Sequence, residues 1–241
     1  MATYVLVHGG AHGGWCYQRV ARLIRAAGHE VYTPTMTGVG ERSHLLRPDI
    51  DLDFHINDIV QVLHYENLSG VILVGHSYGG MVITGVADRA TDRVGALVYL
   101  DAAHPTNGQS LVDVSGPTIL ATRPLGREVD GIELVLLPEM KVYYGVEDPD
   151  DQVWMAERLA GHPWKCIEQP LELTNEAAMR SIPEFHIVCS STMPQRTERE
   201  PDVMAKARAE GRLWEIDTGH DLMITEPRAV ADALLHIPAP G

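Results

Sequence analysis

The sequence predicts an α/β fold: a mostly parallel sheet of about six strands flanked by helices, with one inserted helical cap. Three observations carry this. Runs such as Tyr4-Val5-Leu6-Val7 and Val71-Ile72-Leu73-Val74 are apolar at every position, the pattern of strands buried on both faces. Segments with apolar residues three and four apart alternate with these runs, which is how helices cross over between parallel neighbours. Between Ala102 and Ile182 the alternation stops, and segments punctuated by Pro and Gly carry Trp154, Trp164, Met140, Met155, Tyr143 and Tyr144. The expectation is one domain over residues 1–241 with 102–182 inserted in it as a cap.

Tyr4 to His8 is the first strand, and Gly9-Gly10-Ala11-His12-Gly13-Gly14 after it is a loop whose backbone can approach a ligand closely. Val20, Leu23, Ile24 and Ala27 share a helix face that stops at Gly28, and Glu30 to Thr33 completes a βαβ unit. Thr37 to Pro48 is a polar loop, after which Asp53 is expected to cap a helix burying Ile56, Ile59, Val60 and Leu63. The strand Val71 to Val74 and a helix over Met81 to Ala87 bracket Gly75-His76-Ser77-Tyr78-Gly79-Gly80. Val94 to Leu100 is a further buried strand, ending in Asp101. Beyond the cap, Phe185 to Cys189 resumes the sheet, Val203 to Ala209 is helical and Leu213 to Ile216 is the last strand. Thr225 is expected to cap a closing helix with Val230, Leu234 and Ile237 buried, before a frayed Pro238-Ala239-Pro240-Gly241.

Nineteen Lys and Arg against 33 Asp and Glu give a net charge of −14, with no basic run. That argues against nucleic acid and anionic membranes as partners. Cys16, Cys166 and Cys189 are an odd count without Cys-x-x-Cys or metal-ligand spacing, so no disulfide framework and no metal site are expected, and a reducing cytoplasm fits. The N-terminal residues enter a strand directly, without a cationic and then apolar leader, and no apolar run approaches the ~18 residues of a membrane span.

The chemistry is expected at Ser77. Gly75 and Gly79 flank it on a strand-to-helix corner, where side chains would crowd the turn and bury the hydroxyl. A serine alkoxide does not form unaided at neutral pH, so a base oriented by a carboxylate is required. His220, in the loop after the last strand, is the expected base. The developing oxyanion needs two fixed amides, expected from Tyr78 and Gly10. The glycine loop lacks the Gly-x-Gly-x-x-Gly spacing of a dinucleotide site, so no nucleotide and no other cofactor is expected. Gly9, His12, Trp154 and Trp164 are candidate substrate contacts, although His12 could instead tie the loop down and the tryptophans could form the cap's own core.

The motifs Val5-Leu6-Val7-His8-Gly9-Gly10-Ala11-His12-Gly13-Gly14-Trp15 and Val74-Gly75-His76-Ser77-Tyr78-Gly79-Gly80, with the His220 loop, resemble the α/β-hydrolase branch that holds plant methylesterases, such as the salicylate-binding esterase, and hydroxynitrile lyases. Thr35, Thr37, Gly38, Gly40, Glu41, Arg42, Ser43 and His44, with Tyr99-Leu100-Asp101-Ala102, are similar to bacterial carboxylesterase relatives of that branch. The resemblance implies an α/β-hydrolase fold and a Ser-His-Asp triad acting on a small, apolar or aromatic carboxylic ester, with a homodimer left open. The lyases carry a threonine where Gly9 stands and a lysine where Asp221 stands, and an anion beside the base would not stabilise departing cyanide. In the plant members the acid follows the strand equivalent to Phe185–Cys189, but Ser190-Ser191-Thr192-Met193-Pro194 holds no carboxylate. Other α/β-hydrolases, some haloalkane dehalogenases among them, place the acid where Asp101 stands. Asp101 is therefore the expected acid, with Asp217 and Glu198 as alternatives. A hydroxynitrile lyase, a cofactor-independent dioxygenase, a receptor-like binding protein and an acyltransferase are the rival readings.

Overall fold

The apolar runs form a fully parallel sheet in a computed structural model, which describes residues 1–136 and 139–239, so Pro240 and Gly241 of the expected frayed tail lie outside the described residues. Six strands, β1 (Thr3–Val7), β2 (Glu30–Tyr32), β3 (Val71–His76), β4 (Val94–Leu100), then β8 (Glu184–Cys189) and β9 (Leu213–Ile216) beyond three short strands, run in the order β2-β1-β3-β4-β8-β9. Alternate residues of each strand serve opposite cores. Val5, Val7, Leu73, Leu97 and Tyr99 pack with α2 (Leu52–Tyr65) and α3 (Gly79–Arg89). Tyr4, Leu6, Ile72, Val74 and Val98 pack with α1 (Gln18–Ala26) and the closing helix. Two buried faces explain why these strands are apolar at every position rather than at every second one.

Between β4 and β8 lie α4 (Leu111–Ser115), α5 (Pro117–Leu120), a π-helical turn over Met140–Tyr144, α6 (Pro149–Ala156), α7 (Trp164–Glu168) and α8 (Glu176–Met179). Helices were expected there, and with them comes a small antiparallel sheet of β5 (Arg127–Val129), β6 (Ile132–Val135) and β7 (His162–Pro163). Trp164, Cys166 and Ile167 sink into the core shared with α2 and α3, which seats the segment on the main sheet. After β8 come α9 (Met193–Arg199) and α10 (Pro201–Ala209), then α11 (Leu222–Thr225) and α12 (Pro227–Leu235) after β9.

Two expected helix caps fall elsewhere. Asp51, not Asp53, accepts from the Phe54 N–H at 2.9 Å and starts α2, while Asp53 accepts from Gln169 Nε2. Thr225 ends α11 rather than opening the last helix, because Pro227 at the first position of α12, with no N–H to satisfy, fixes that start. Val230, Leu234 and Ile237 are buried as expected. Among the described residues no helix is long and apolar enough to cross a membrane.

Because all six strands point the same way, the loops after β1, β3, β4 and β9 gather at one edge. Gly9-Gly10, Ser77, Asp101 and His220 sit in those four loops.

Candidate active site

Ser77 is held at a φ of 53°, a left-handed conformation that costs a residue with a Cβ about 1–2 kcal/mol. The corner is tight enough to need its glycines: a Cβ on Gly75 would lie 2.5 Å from the Gly79 carbonyl oxygen, and one on Gly79 would lie 2.7 Å from that of Val7. The Ser77 carbonyl accepts from Gly80 and Ala103 N–H, which pins the turn from both sides. Its hydroxyl makes no hydrogen bond to another described residue and faces a cavity of about 1100 Å³.

His220 lines the same cavity, about a quarter exposed, and its Nδ1–H donates to Asp101 Oδ2 at 2.5 Å. Asp101 follows β4 at a φ of 44°, with its N–H donating to the Ile187 carbonyl. The carboxylate also accepts from Thr192 Oγ1 at 2.5 Å and from the Cys189 thiol at 3.3 Å. Thr192 belongs to the stretch that lacks a carboxylate, so the segment that would hold the acid in the plant members here hydrogen-bonds it. Burial alone would raise the Asp101 pKa, but the hydrogen bond and charge of His220, helped by Arg196 and Thr192, hold it well below the ordinary carboxylate range. Asp217 accepts from Ser190 and Glu198 is exposed, so neither alternative acid reaches His220.

Burial pushes the His220 imidazole down in pKa, yet the Asp101 hydrogen bond and charge more than offset it and leave it above the usual 6.5. A base works unprotonated. Activity that depends on neutral His220 must therefore fall as pH drops through a value above 6.5, and a kcat/KM profile whose acidic limb lies below 6.5 would contradict this.

Gly10 and Tyr78 both line the cavity, and the N–H of each donates to no acceptor among the described residues. The Tyr78 side chain is turned away from that task. Because His55 Nε2–H donates to the Thr37 carbonyl, His55 Nδ1 is left to accept from the Tyr78 hydroxyl at 3.0 Å, which anchors the residue while its amide stays unspent.

Other expected contacts fall outside the cavity. His12 is buried and clamps its own loop, donating from Nδ1 to the Gly10 carbonyl and from Nε2 to Asp221. Gly9 packs on the His76 ring instead of facing the cavity. Trp164 is a core side chain whose indole N–H donates to Glu168, and Trp154 stacks edge-on against Trp15 beside Arg19 and Arg158. Trp164 turns away because its ring fills the core shared with the main sheet, while half-buried Trp154 is held by Trp15 and the two arginines. The cavity's apolar wall comes instead from Leu111, Val114, Ile119, Val135, Tyr143 and Ile167.

His162 is a further lining residue that nothing local in the sequence marked. It accepts the Ala11 N–H on Nδ1 at 3.4 Å, packs edge-on over Tyr78, and is kept neutral by burial. Among the described residues, three groups could approach a metal ion: His55 with His162 and Cys166, His76 with His220 and Asp221, and His104 with Glu184 and His186. In the first, both His55 nitrogens already have partners, and in the second the nitrogens facing Asp101 and the His220 carbonyl are engaged.

This edge of the sheet brings together a hydroxyl on a strained corner, an imidazole hydrogen-bonded to a carboxylate, and two backbone amides without acceptors among the described residues, the parts that serine hydrolases use. Residues 4–233 match the family described as Alpha/beta hydrolase family, and the chain belongs to that family. It is 35% identical to a carbendazim hydrolyzing esterase from a Nocardioides species, over 97% of this chain and 98% of the relative. Methylesterase 1 of Arabidopsis thaliana is 24% identical over 97% of this chain and 95% of its own length. Among solved structures, an extracellular alpha/beta-hydrolase from a Paenibacillus species superposes with a TM-score of 0.82 at 23% identity, covering 98% of both chains.

Proposed function

We propose that this protein hydrolyses small carboxylic esters through an acyl-enzyme on Ser77, with His220 as base, Asp101 as its orienting acid, and the Gly10 and Tyr78 amides as oxyanion donors. The observation that carries the reading is the 2.5 Å His220–Asp101 pair in the wall of the cavity that Ser77 enters. His220 Nε2 takes the hydroxyl proton as Ser77 attacks the ester carbonyl, and Asp101 stabilises the imidazolium that results. The oxyanion meets the two amides, the alcohol leaves with the proton from His220, and water cleaves the acyl-enzyme by the same route. These steps call for no metal and no organic cofactor.

Residues 102–182 act as a cap whose apolar side chains hold the body of the substrate, which favours aryl or otherwise apolar esters. Esterase is the name that several relatives carry. Cyanohydrin cleavage is disfavoured because Gly9 offers no hydroxyl and Asp221 is turned into a buried pair with His12. Three buried free cysteines suit a reducing cytoplasm.

A panel of aryl acetates, aromatic methyl esters and carbendazim tests the reading. Steady release of alcohol or acid is expected from at least one class, and phenylmethylsulfonyl fluoride is expected to stop it by sulfonylating Ser77. Inactivation with the adduct on another residue, or binding without turnover across the panel, would overturn the assignment.

A further inference from the structure

We infer that Asp221 is a positioning residue: its carboxylate, buried behind the base, ties the oxyanion loop to the base loop so that the Gly10 amide and the His220 ring keep one relative placement. This rests on the roles given above to Ser77, His220 and Gly10. Asp221 is 0% exposed, and its Oδ2 accepts from His12 Nε2 at 2.9 Å. At its other nitrogen His12 donates to the Gly10 carbonyl at 2.7 Å. Both ring nitrogens thus face oxygen atoms, the Gly10 carbonyl on one side and the Asp221 carboxylate on the other, so the ring bridges the two loops. Burial would raise the Asp221 pKa, but the charge and hydrogen bond of His12, with His76 and His220, bring it below the usual carboxylate value.

The Gly10 carbonyl and the Gly10 N–H are separated by a single residue's backbone, so fixing one restrains the other. Restraint is needed there, because Ala11 sits at a φ of 65°, where a residue with a Cβ is strained. On the opposite side, His76 Nε2–H donates to the His220 carbonyl at 3.0 Å while lying 3.7 Å from Asp221 Oδ1. The Asp221 N–H donates to the Tyr144 carbonyl at 2.8 Å, and a Cβ on Gly145 would come within 2.5 Å of Gly219 Cα, so the cap's backbone rests on the same loop. First loop, corner, base loop and cap meet at this one buried anion. His-x-x-x-His at 8–12, Gly-His-Ser at 75–77 and Gly-His-Asp at 219–221 are the sequence pieces that supply it.

Asp221→Asn keeps the shape and removes the charge: an amide turned to offer its N–H to His12 Nε2 preserves a neutral hydrogen bond but not the ion pair that joins the two loops. In the full chain, kcat for an aryl acetate is expected to fall about 10- to 100-fold, the scale of an ångström-level misplacement of catalytic groups. KM should change less than about threefold, since ground-state contacts are untouched. An aryl trifluoromethyl ketone reads the oxyanion site directly: Ser77 oxygen bonds to the carbonyl carbon, its proton passes to His220, and the carbonyl electron pair becomes an oxyanion facing Gly10 and Tyr78. Its affinity should fall by the same factor as kcat, whereas the corresponding alcohol, which forms no adduct, should bind wild type and variant alike. His12→Gln should give a similar loss, and the double variant, neutral at both ends and usable should the single one fail to fold, should be no slower than the slower single. Equal weakening of ketone and alcohol, losses that multiply in the double variant, or a kcat for Asp221→Asn within about twofold of wild type would overturn the inference. Undiminished turnover by Ser77→Ala would instead overturn the triad, which keeps the two failures distinguishable.

Discussion

Asp101→Asn is expected to lower kcat/KM for an aryl ester by about 10⁴-fold, the cost of the same exchange in a serine protease triad, while Asp217→Asn stays within about twofold. Two effects combine in the larger number. An asparagine that turns its amide toward His220 offers a donor to Nδ1, which moves the ring proton to Nε2 and leaves no lone pair for the Ser77 hydroxyl. The imidazolium formed on attack also loses its counter-ion at a position where the Asp101 side chain is only 1% exposed, so water replaces little of that stabilisation. The pH profile separates this from simple misfolding. Asp101 is what raises the His220 pKa against burial, so its removal should move the acidic limb of the residual activity to lower pH, not higher. Asp217 lies outside all of this, its carboxylate accepting from Ser190 at 2.8 Å on an exposed loop. Comparable losses in both variants would count against Asp101 as the orienting acid and bring back Asp217, in the loop after β9.

Much of this site was legible because it sits where chain direction alone determines position. Parallel strands bring the residues after β1, β3, β4 and β9 to one edge, so Gly10, Ser77, Asp101 and His220 can be placed together by reading strand ends. Side chains that enter from the cap obey no such rule. Trp154 and Trp164 suited either the pocket or the cap's own core by size and composition; Trp164 is buried in the core shared with the main sheet, and half-buried Trp154 lies edge-on against Trp15. His162 was opaque for the opposite reason: its place over Tyr78 depends on β7 pairing with β6, a two-residue bridge too short to leave a periodicity. The helix caps missed by one or two residues because acids at positions 51 and 53 both suit a helix start, and only the Phe54 hydrogen bond separates them. His12 and Asp221 show the limit most clearly. They are 209 positions apart, and neither residue alone hints at a partner buried beneath the other's loop.

Ser77→Ala is expected to cost still more, about 10⁵- to 10⁶-fold in kcat, with the fold intact. The size of the loss matters less than its failure to add. In the proposed mechanism Ser77 and His220 act in one event, transfer of a proton as an oxygen–carbon bond forms, so once either is gone the other has nothing to assist. The double variant Ser77→Ala/His220→Ala should therefore be no slower than the slower single, and losses that multiplied would mean the two side chains serve separate steps. The same position tests the origin of the hydroxyl's exposure. Alanine keeps a Cβ at a φ of 53° and so retains the strain of the corner, whereas Ser77→Gly releases it. Relief of about 1–2 kcal/mol, set against about 0.5–1 kcal/mol for the looser unfolded glycine, should make the inactive Gly variant melt above the equally inactive Ala variant. Calorimetry on the two decides it: an Ala variant as stable as the Gly one would mean the corner holds its serine without strain, and that the left-handed turn is a consequence of the flanking glycines rather than a cost borne to present the nucleophile.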